Sequence, residues 1–213
     1  MRADVAVPGI LVLFAVVACG GDVSSGGGPG CGGAPCGGDP VGKWTIVQAC
    51  YPPQGFSSPD LPPECDGSIR PENLTASGTY EFRPDGTMTF TVTTAGTVVE
   101  TLSDTCVRAL GSLDTPTVAC AGFDASFRNF ADPASPEYDP AYAAASCAYG
   151  NTGCVCRLTR AAVPVTTDSF YSVNGTDLLD GTGEGLGFCV SGDALRLYPK
   201  TLDGAGIVLT RTR

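Results

Sequence analysis

There is no histidine anywhere in this chain. Ser-His and Cys-His catalytic pairs are therefore excluded, and so is any imidazole-ligated metal. No Gly-x-Ser-x-Gly elbow and no phosphate-cradling glycine loop is present, which removes common hydrolase and nucleotide-binding layouts. Two carboxylates could still serve as acid and base, but no motif singles out a pair among 22 Asp and Glu. The expectation is a protein that is not an enzyme and uses no cofactor. Positive charge is scarce as well: 12 Lys and Arg leave a net charge of -10. A surface of that sign repels phosphate backbones and anionic lipid, so nucleic acid is not an expected partner. The apolar run from Val5 to Val17 is too short for a bilayer-crossing helix, which needs ~20 residues.

That run leads into Val16-Val17-Ala18-Cys19, a small-residue stretch closing on cysteine. It resembles the lipobox of bacterial lipoproteins, since an apolar segment of about 7–15 residues before such a site marks an export signal rather than part of a fold. The resemblance implies a signal peptide over 1–18, a lipid of the palmitate type on Cys19, and attachment to a membrane of the bacterial cell envelope. Gly20 stands where an aspartate would imply inner-membrane retention, so the outer membrane is the expected location. Arg2 and Asp4 cancel, and the chain from Cys19 onward keeps the charge of -10.

Of the 11 cysteines, removing Cys19 leaves an even set: Cys31, Cys36, Cys50, Cys65, Cys106, Cys120, Cys147, Cys154, Cys156 and Cys189. In an exported chain these are expected as disulfides, with the connectivity open. The competing reading is a zinc site at Cys147, Cys154 and Cys156 with Cys120 upstream. The lack of a Cys-x-x-Cys pair and of histidine argues against it, so no metal is expected. Cys154 and Cys156 are two apart, point the same way on a strand, and should each staple a different neighbour. Cys31 and Cys36 could close a small loop.

The composition divides the rest. Residues 19–40 are glycine-rich, a tether whose ~21 residues after Cys19 would span roughly 25 Å. At Val41 the pattern changes to Val41-Gly42-Lys43-Trp44-Thr45-Ile46, a strand opening a domain over 41–213. Residues 51–75, rich in proline and serine, read as a long ordered loop. Tyr80 and Phe82, the turn Pro84-Asp85-Gly86, then Met88, Phe90 and Val92 alternating with threonines predict a hairpin with one apolar and one threonine face. Ala95-Gly96 is expected to turn the chain into a third strand, 97–102. An insertion over about 103–153 breaks the pattern: Phe123, Phe127 and Phe130 recur at helical spacing although they also fit a strand. Asp139-Pro140 before 141–149 predicts a short capped helix. Strands are expected again over 154–162, 169–174, 186–190, 194–199 and 206–212. About eight short antiparallel strands with hairpin connections predict an all-β fold, an up-and-down barrel or a sandwich.

The Gly42-Lys43-Trp44 triplet is similar to the Gly-x-Trp motif that opens the first strand of lipocalin-like barrels. In those families a basic residue of the last strand packs across the tryptophan, and Arg211 is the matching position. The resemblance covers roughly 41–102 and 154–213 and implies a lipocalin-like up-and-down β-barrel of about eight strands; the disulfide-rich loop and short-helix insertion between those two parts departs from the family's usual pattern. On physical grounds Arg211 can lie on the Trp44 indole if the first and last strands meet.

Inward-facing candidates are Trp44, Tyr80, Phe82, Met88, Phe90, Phe188 and Leu195. They could line a site for a small apolar ligand, or fill the barrel themselves and leave no cavity. A membrane-tethered carrier and a structural or protein-interaction lipoprotein are therefore both open. Asp177, Asp180 and Glu184 in a Gly-rich turn could offer oxygen ligands to calcium, but their spacing does not match an EF-hand loop and a solvated turn is expected. Asn73-Leu74-Thr75 and Asn174-Gly175-Thr176 fit a glycosylation pattern and are read as turn residues.

Overall fold

The computed structural model describes residues 33–51, 55, 65, 67–110, 115–181, 183, 185–200 and 205–212. The expected signal peptide, Cys19, Cys31, Glu184 and most of the 51–66 loop lie outside them. The elements in order are β1 (Gly42–Cys50), β2 (Gly67–Phe82), β3 (Thr87–Leu102), α1 (Asp104–Leu110), α2 (Pro116–Ala131), β4 (Tyr142–Gly150), β5 (Gly153–Arg160), β6 (Pro164–Asn174), β7 (Asp177–Asp180), β8 (Gly185–Ser191), β9 (Ala194–Pro199) and β10 (Gly206–Arg211).

Eight strands, β2-β1-β10-β9-β8-β7-β6-β3, run antiparallel round a ring that the β2–β3 pairing closes. This is the expected lipocalin-like barrel. Period-two alternation turns Trp44, Ile46, Phe188, Leu195, Leu197, Ile207 and Leu209 inward, all buried. Burying each such side chain contributes roughly 1.5–3 kcal/mol, so this wall is the main source of the barrel's stability.

The hairpin forms as expected, with Phe82 opposite Met88 and Asp85 accepting from both the backbone N–H and the hydroxyl of Thr87 at 2.9 and 2.7 Å. Its strands are far longer than the sequence pattern indicated. Residues 67–75, expected as loop, belong to β2, and the chain does not turn at Ala95-Gly96 because β3 runs straight through. Gly96 instead marks a kink: its φ is +118°, and a Cβ there would collide with the Asn73 carbonyl. Opposite it, Asn73 sits at φ 52° beside a register shift between Glu72 and Thr75. Positive φ serves a bulge as well as a turn, so the glycine alone does not distinguish the two.

Beyond the kink the hairpin leaves the barrel. Over Thr87–Thr93 the outer partner of β3 is β6; over Gly96–Leu102 it is β5, with β4 beyond. This second sheet packs on α1 and α2 around Leu102, Val107, Ala119, Tyr142, Ala145 and Leu158. Pro71 is tolerated in β2 because β1 pairs only with Thr79–Phe82, which leaves Pro71 on an edge. The phenylalanine spacing resolves as helix: Thr115 caps α2 by accepting from the Val118 N–H, and Pro116 follows.

Residues 141–149 are a correction in the other direction, being strand β4 and not a helix. Asp139 does accept from the Ala141 N–H at 2.8 Å, but the chain after it is held extended by its ladder to β5 and by the Cys147–Cys156 bond. Tertiary pairing outweighs the modest helix preference of alanine. The 177–184 turn also contains a strand, β7, and Asp177 at its start pairs with Lys200 at 2.8 Å.

All nine cysteines in the described residues are disulfide-bonded. Four pairs are described: Cys36–Cys189, Cys65–Cys106, Cys120–Cys154 and Cys147–Cys156. Cys154 and Cys156 thus staple different neighbours, as their spacing required. The zinc reading fails on the same facts. The sulfurs of Cys147, Cys154 and Cys156 do lie within 4.8 Å of one another, but each is spent in a disulfide and offers no thiolate. Nor do Cys31 and Cys36 close a loop of their own: Cys36 bonds to β8, and the N–H groups of Cys36 and Gly37 both donate to the Phe188 carbonyl at 2.9 Å. Among the described residues no helix is long and apolar enough to cross a membrane.

Candidate functional site: the barrel interior

Two rows of side chains cross five neighbouring strands in register. On the outer face Thr210, Thr45, Thr79, Thr91 and Thr166 stand side by side; on the inner face the row is Arg211, Trp44, Tyr80, Phe90 and Thr167. The outer hydroxyls serve partly one another, as in the 2.9 Å Thr91–Thr166 bond. The inner row begins at the barrel's closure and ends at its most accessible wall.

At the closed end the Arg211 guanidinium lies 4.3 Å from the Trp44 ring centre. Its Nη1 also donates to the Val41 carbonyl at 3.0 Å, while the indole N–H donates to the Pro40 carbonyl at 2.7 Å. Gly42 makes room: its φ is +135°, and a Cβ there would sit 2.7 Å from Arg211 Nη1. The Gly-x-Trp and basic-partner arrangement expected from the sequence is therefore present, and the arginine is engaged on both faces of its task.

All seven lining candidates face one core. Trp44, Tyr80, Phe82, Phe188 and Leu195 are buried in it, and Met88 and Phe90 pack against it half-buried. The two half-buried candidates, Met88 and Phe90, both lie on β3. β6 pairs with β3 through Pro164–Phe170 but with β7 only through Tyr171–Asn174, so the first part of β6 has an open edge among the described residues. Its inward residues Val165, Thr167 and Ser169 lie directly opposite Val92, Phe90 and Met88. Val165 is 41% exposed although it points inward, and Thr167 and Ser169 are half-buried. The sequence reading missed these three because Val-Thr-Thr-Asp-Ser carries little apolar alternation; only the register to Met88 and Phe90 reveals them.

Tyr80 is the anomaly within this interior. It is 4% exposed, and its hydroxyl is buried with no hydrogen-bond partner. Its ring is stacked 5.4 Å from Phe90 and 6.2 Å from Phe82, with interplanar angles of 20° and 16°. Loss of water around the phenol pushes its pKa well above the usual tyrosine range. An unmade bond of this kind costs about 1–3 kcal/mol. Tyr171, on the same inner face, meets no such cost: its hydroxyl donates to the Arg83 carbonyl at 2.8 Å.

On the inner row the one cation, Arg211, stands at the closed end. Arg211 is held at the closure, and Arg83 lies on the outer face, donating to the Thr89 hydroxyl at 3.0 Å and pairing with Glu81 at 3.3 Å. On β7 the alternation that turns Leu178 inward places Asp180 on the same face. The interior offers aromatic and aliphatic surface, a few hydroxyls and no free ammonium or guanidinium among the described residues.

Fold and site together define a closed eight-stranded antiparallel barrel of lipocalin-like architecture with a disulfide-stapled side lobe. Comparisons with protein-family models, with curated proteins and with solved structures find no match in any of the three.

Proposed function

We propose that this protein is a membrane-tethered lipoprotein of the bacterial cell envelope, anchored through lipid on Cys19 in the outer membrane, whose barrel binds a small apolar ligand without catalysis. The observation that carries the reading is the accessible inner wall, where Met88, Phe90 and Val165 present apolar surface at an open strand edge. Single exposed apolar residues are ordinary, but a contiguous set on the inside of a barrel is where ligands are held. Full oxidation of the described cysteines is what an exported chain requires, and it supports the envelope address. The lack of histidine supports a binding role over catalysis.

Displacement of the apolar fluorophore diphenylhexatriene by a panel of neutral and acidic apolar compounds, any one of which suffices, tests the carrier reading. Fluorophore uptake and saturable displacement are expected, and their complete failure sinks it. Changing Cys19 to Ser tests the address: the variant should leave the membrane fraction, and one that stays bound removes the anchor from the proposal. A second reading has its own observation. Trp44, Phe188, Leu195 and Leu209 are wholly buried, so part of the barrel is already filled by its own side chains, as in a packed structural or protein-interaction module.

A further inference from the structure

We infer that the ligand is a flat, neutral, apolar molecule carrying one hydrogen-bond acceptor, such as a ketone, quinone or ester carbonyl, and that the Tyr80 hydroxyl is its anchor. This rests on the carrier reading above and adds the chemical class of what is carried.

Three independent features point to that class. The Tyr80 hydroxyl is a buried donor with nothing to donate to, sited midway along the inner row between the closure and the accessible wall. One phenol can supply one hydrogen bond, so it selects for a single acceptor. The near-parallel rings of Phe82, Tyr80 and Phe90 form a stack, and a planar molecule continues such a stack with offset ring contacts. Phe90 is the half-buried member next to Thr167, so it is the ring that must swing aside for a ligand to reach the hydroxyl.

The third feature is charge. A carboxylate drawn into this interior would lose its water and meet a cation only at the closed end, where Arg211 already covers Trp44 and bonds the Val41 carbonyl; Arg83 lies outside. The net charge of -10 repels it further. Long-chain acids, otherwise natural guests of an apolar barrel, are thereby disfavoured against neutral carbonyl compounds of similar size.

The test uses a matched set, fluorene, fluorenone and fluorene carboxylate, each displacing diphenylhexatriene from the wild-type protein and from Tyr80→Phe. A single neutral hydrogen bond predicts that fluorenone binds wild type roughly three- to tenfold more tightly than fluorene. The carboxylate should be the weakest of the three, and the ratio of ketone to hydrocarbon affinity should fall to about one in Tyr80→Phe, whatever the absolute affinity for fluorene becomes. Equal affinities for ketone and hydrocarbon, a ketone advantage that survives in Tyr80→Phe, or preferred binding of the carboxylate each overturns the inference while leaving a carrier. Failure of every compound, with no uptake of the fluorophore itself, removes the carrier reading and the inference with it. Since the change deletes one oxygen and keeps the ring, Tyr80→Phe is expected to fold, and its thermal melt verifies that.

Discussion

Arg211 and Trp44 face each other directly across the β1–β10 ladder, and the guanidinium covers the indole at 4.3 Å. The contact is desolvated, since Trp44 has no exposed surface, and a cation over an aromatic face is then worth about 1–2 kcal/mol. Arg211→Ala, which also deletes the bond to the Val41 carbonyl, should lower unfolding stability by about that amount or more in a denaturant titration. Gly42→Ala should cost at least as much, through the crowded Arg211 Nη1 and the positive φ. A loss below ~0.5 kcal/mol for Arg211→Ala would mean that the strands close without help from this pair.

The orphaned phenol makes the opposite kind of prediction. Tyr80→Phe removes a buried donor that has no partner, so the ligand-free variant should be more stable than wild type by about 1 kcal/mol. The phenol's folded pKa is raised by burial. Its contribution is therefore complete below the unfolded value of about 10 and is lost as the pH climbs from there toward the folded value. The gap between the two proteins should widen on that alkaline limb, and thermal melts across it read the effect. A less stable Tyr80→Phe would mean that water already satisfies the hydroxyl.

Much of this was legible in the sequence and some was not, for identifiable reasons. Gly42, Trp44 and Arg211 announced the closure because glycine, indole and guanidinium at those points serve one local geometry. The parity of Cys154 and Cys156 foretold two staples. Gly96 was ambiguous, since a left-handed residue suits a bulge and a turn alike, and only the ladder to β5 shows which it is. Residues 141–149 read as helix because the Asp139 cap is real; what overrides it is a neighbouring strand distant from any local signal. The polar isolation of Tyr80 is not legible in the sequence at all, because it depends on which side chains β1 and β3 bring beside its ring.

The disulfides differ in the loops they close. Cys36–Cys189 spans a sequence separation of 153, while Cys147–Cys156 spans 9. On the chain-entropy account these limit the unfolded state by about 5 and about 2.5 kcal/mol. Replacing Cys36 and Cys189 with serine should therefore lower the unfolding midpoint more than replacing Cys147 and Cys156. The reverse order would show that the side lobe, with its thin core, depends on its staples more than the barrel does on its long loop.

Glu100 is a carboxyl drawn into the side lobe, facing the β5 strand opposite Cys156. Burial raises its pKa. A raised folded pKa means that its contribution is fully present below the unfolded carboxylate value and is lost as the pH rises through the folded one. Glu100→Gln should thus raise the melting temperature at neutral pH, and the gain should fade in acid as the wild-type carboxyl becomes protonated. A gain that persists unchanged into acid would point to packing and not to charge.

The Cys36–Cys189 bond also decides how the molecule bears load. The chain upstream of the barrel does not feed its pull straight into β1, the strand whose Trp44 holds the closure. It is welded first to the middle of β8, with Gly37 bridging Cys189 and the Val190 N–H donating to the Gly37 carbonyl. Tension arriving from a membrane anchor would enter a wall strand through a covalent bond and spread sideways into β7 and β9 as shear. With the anchor proposed above, the first strand would be spared the peeling force that would unzip it from β10, and the barrel could be tugged without being opened.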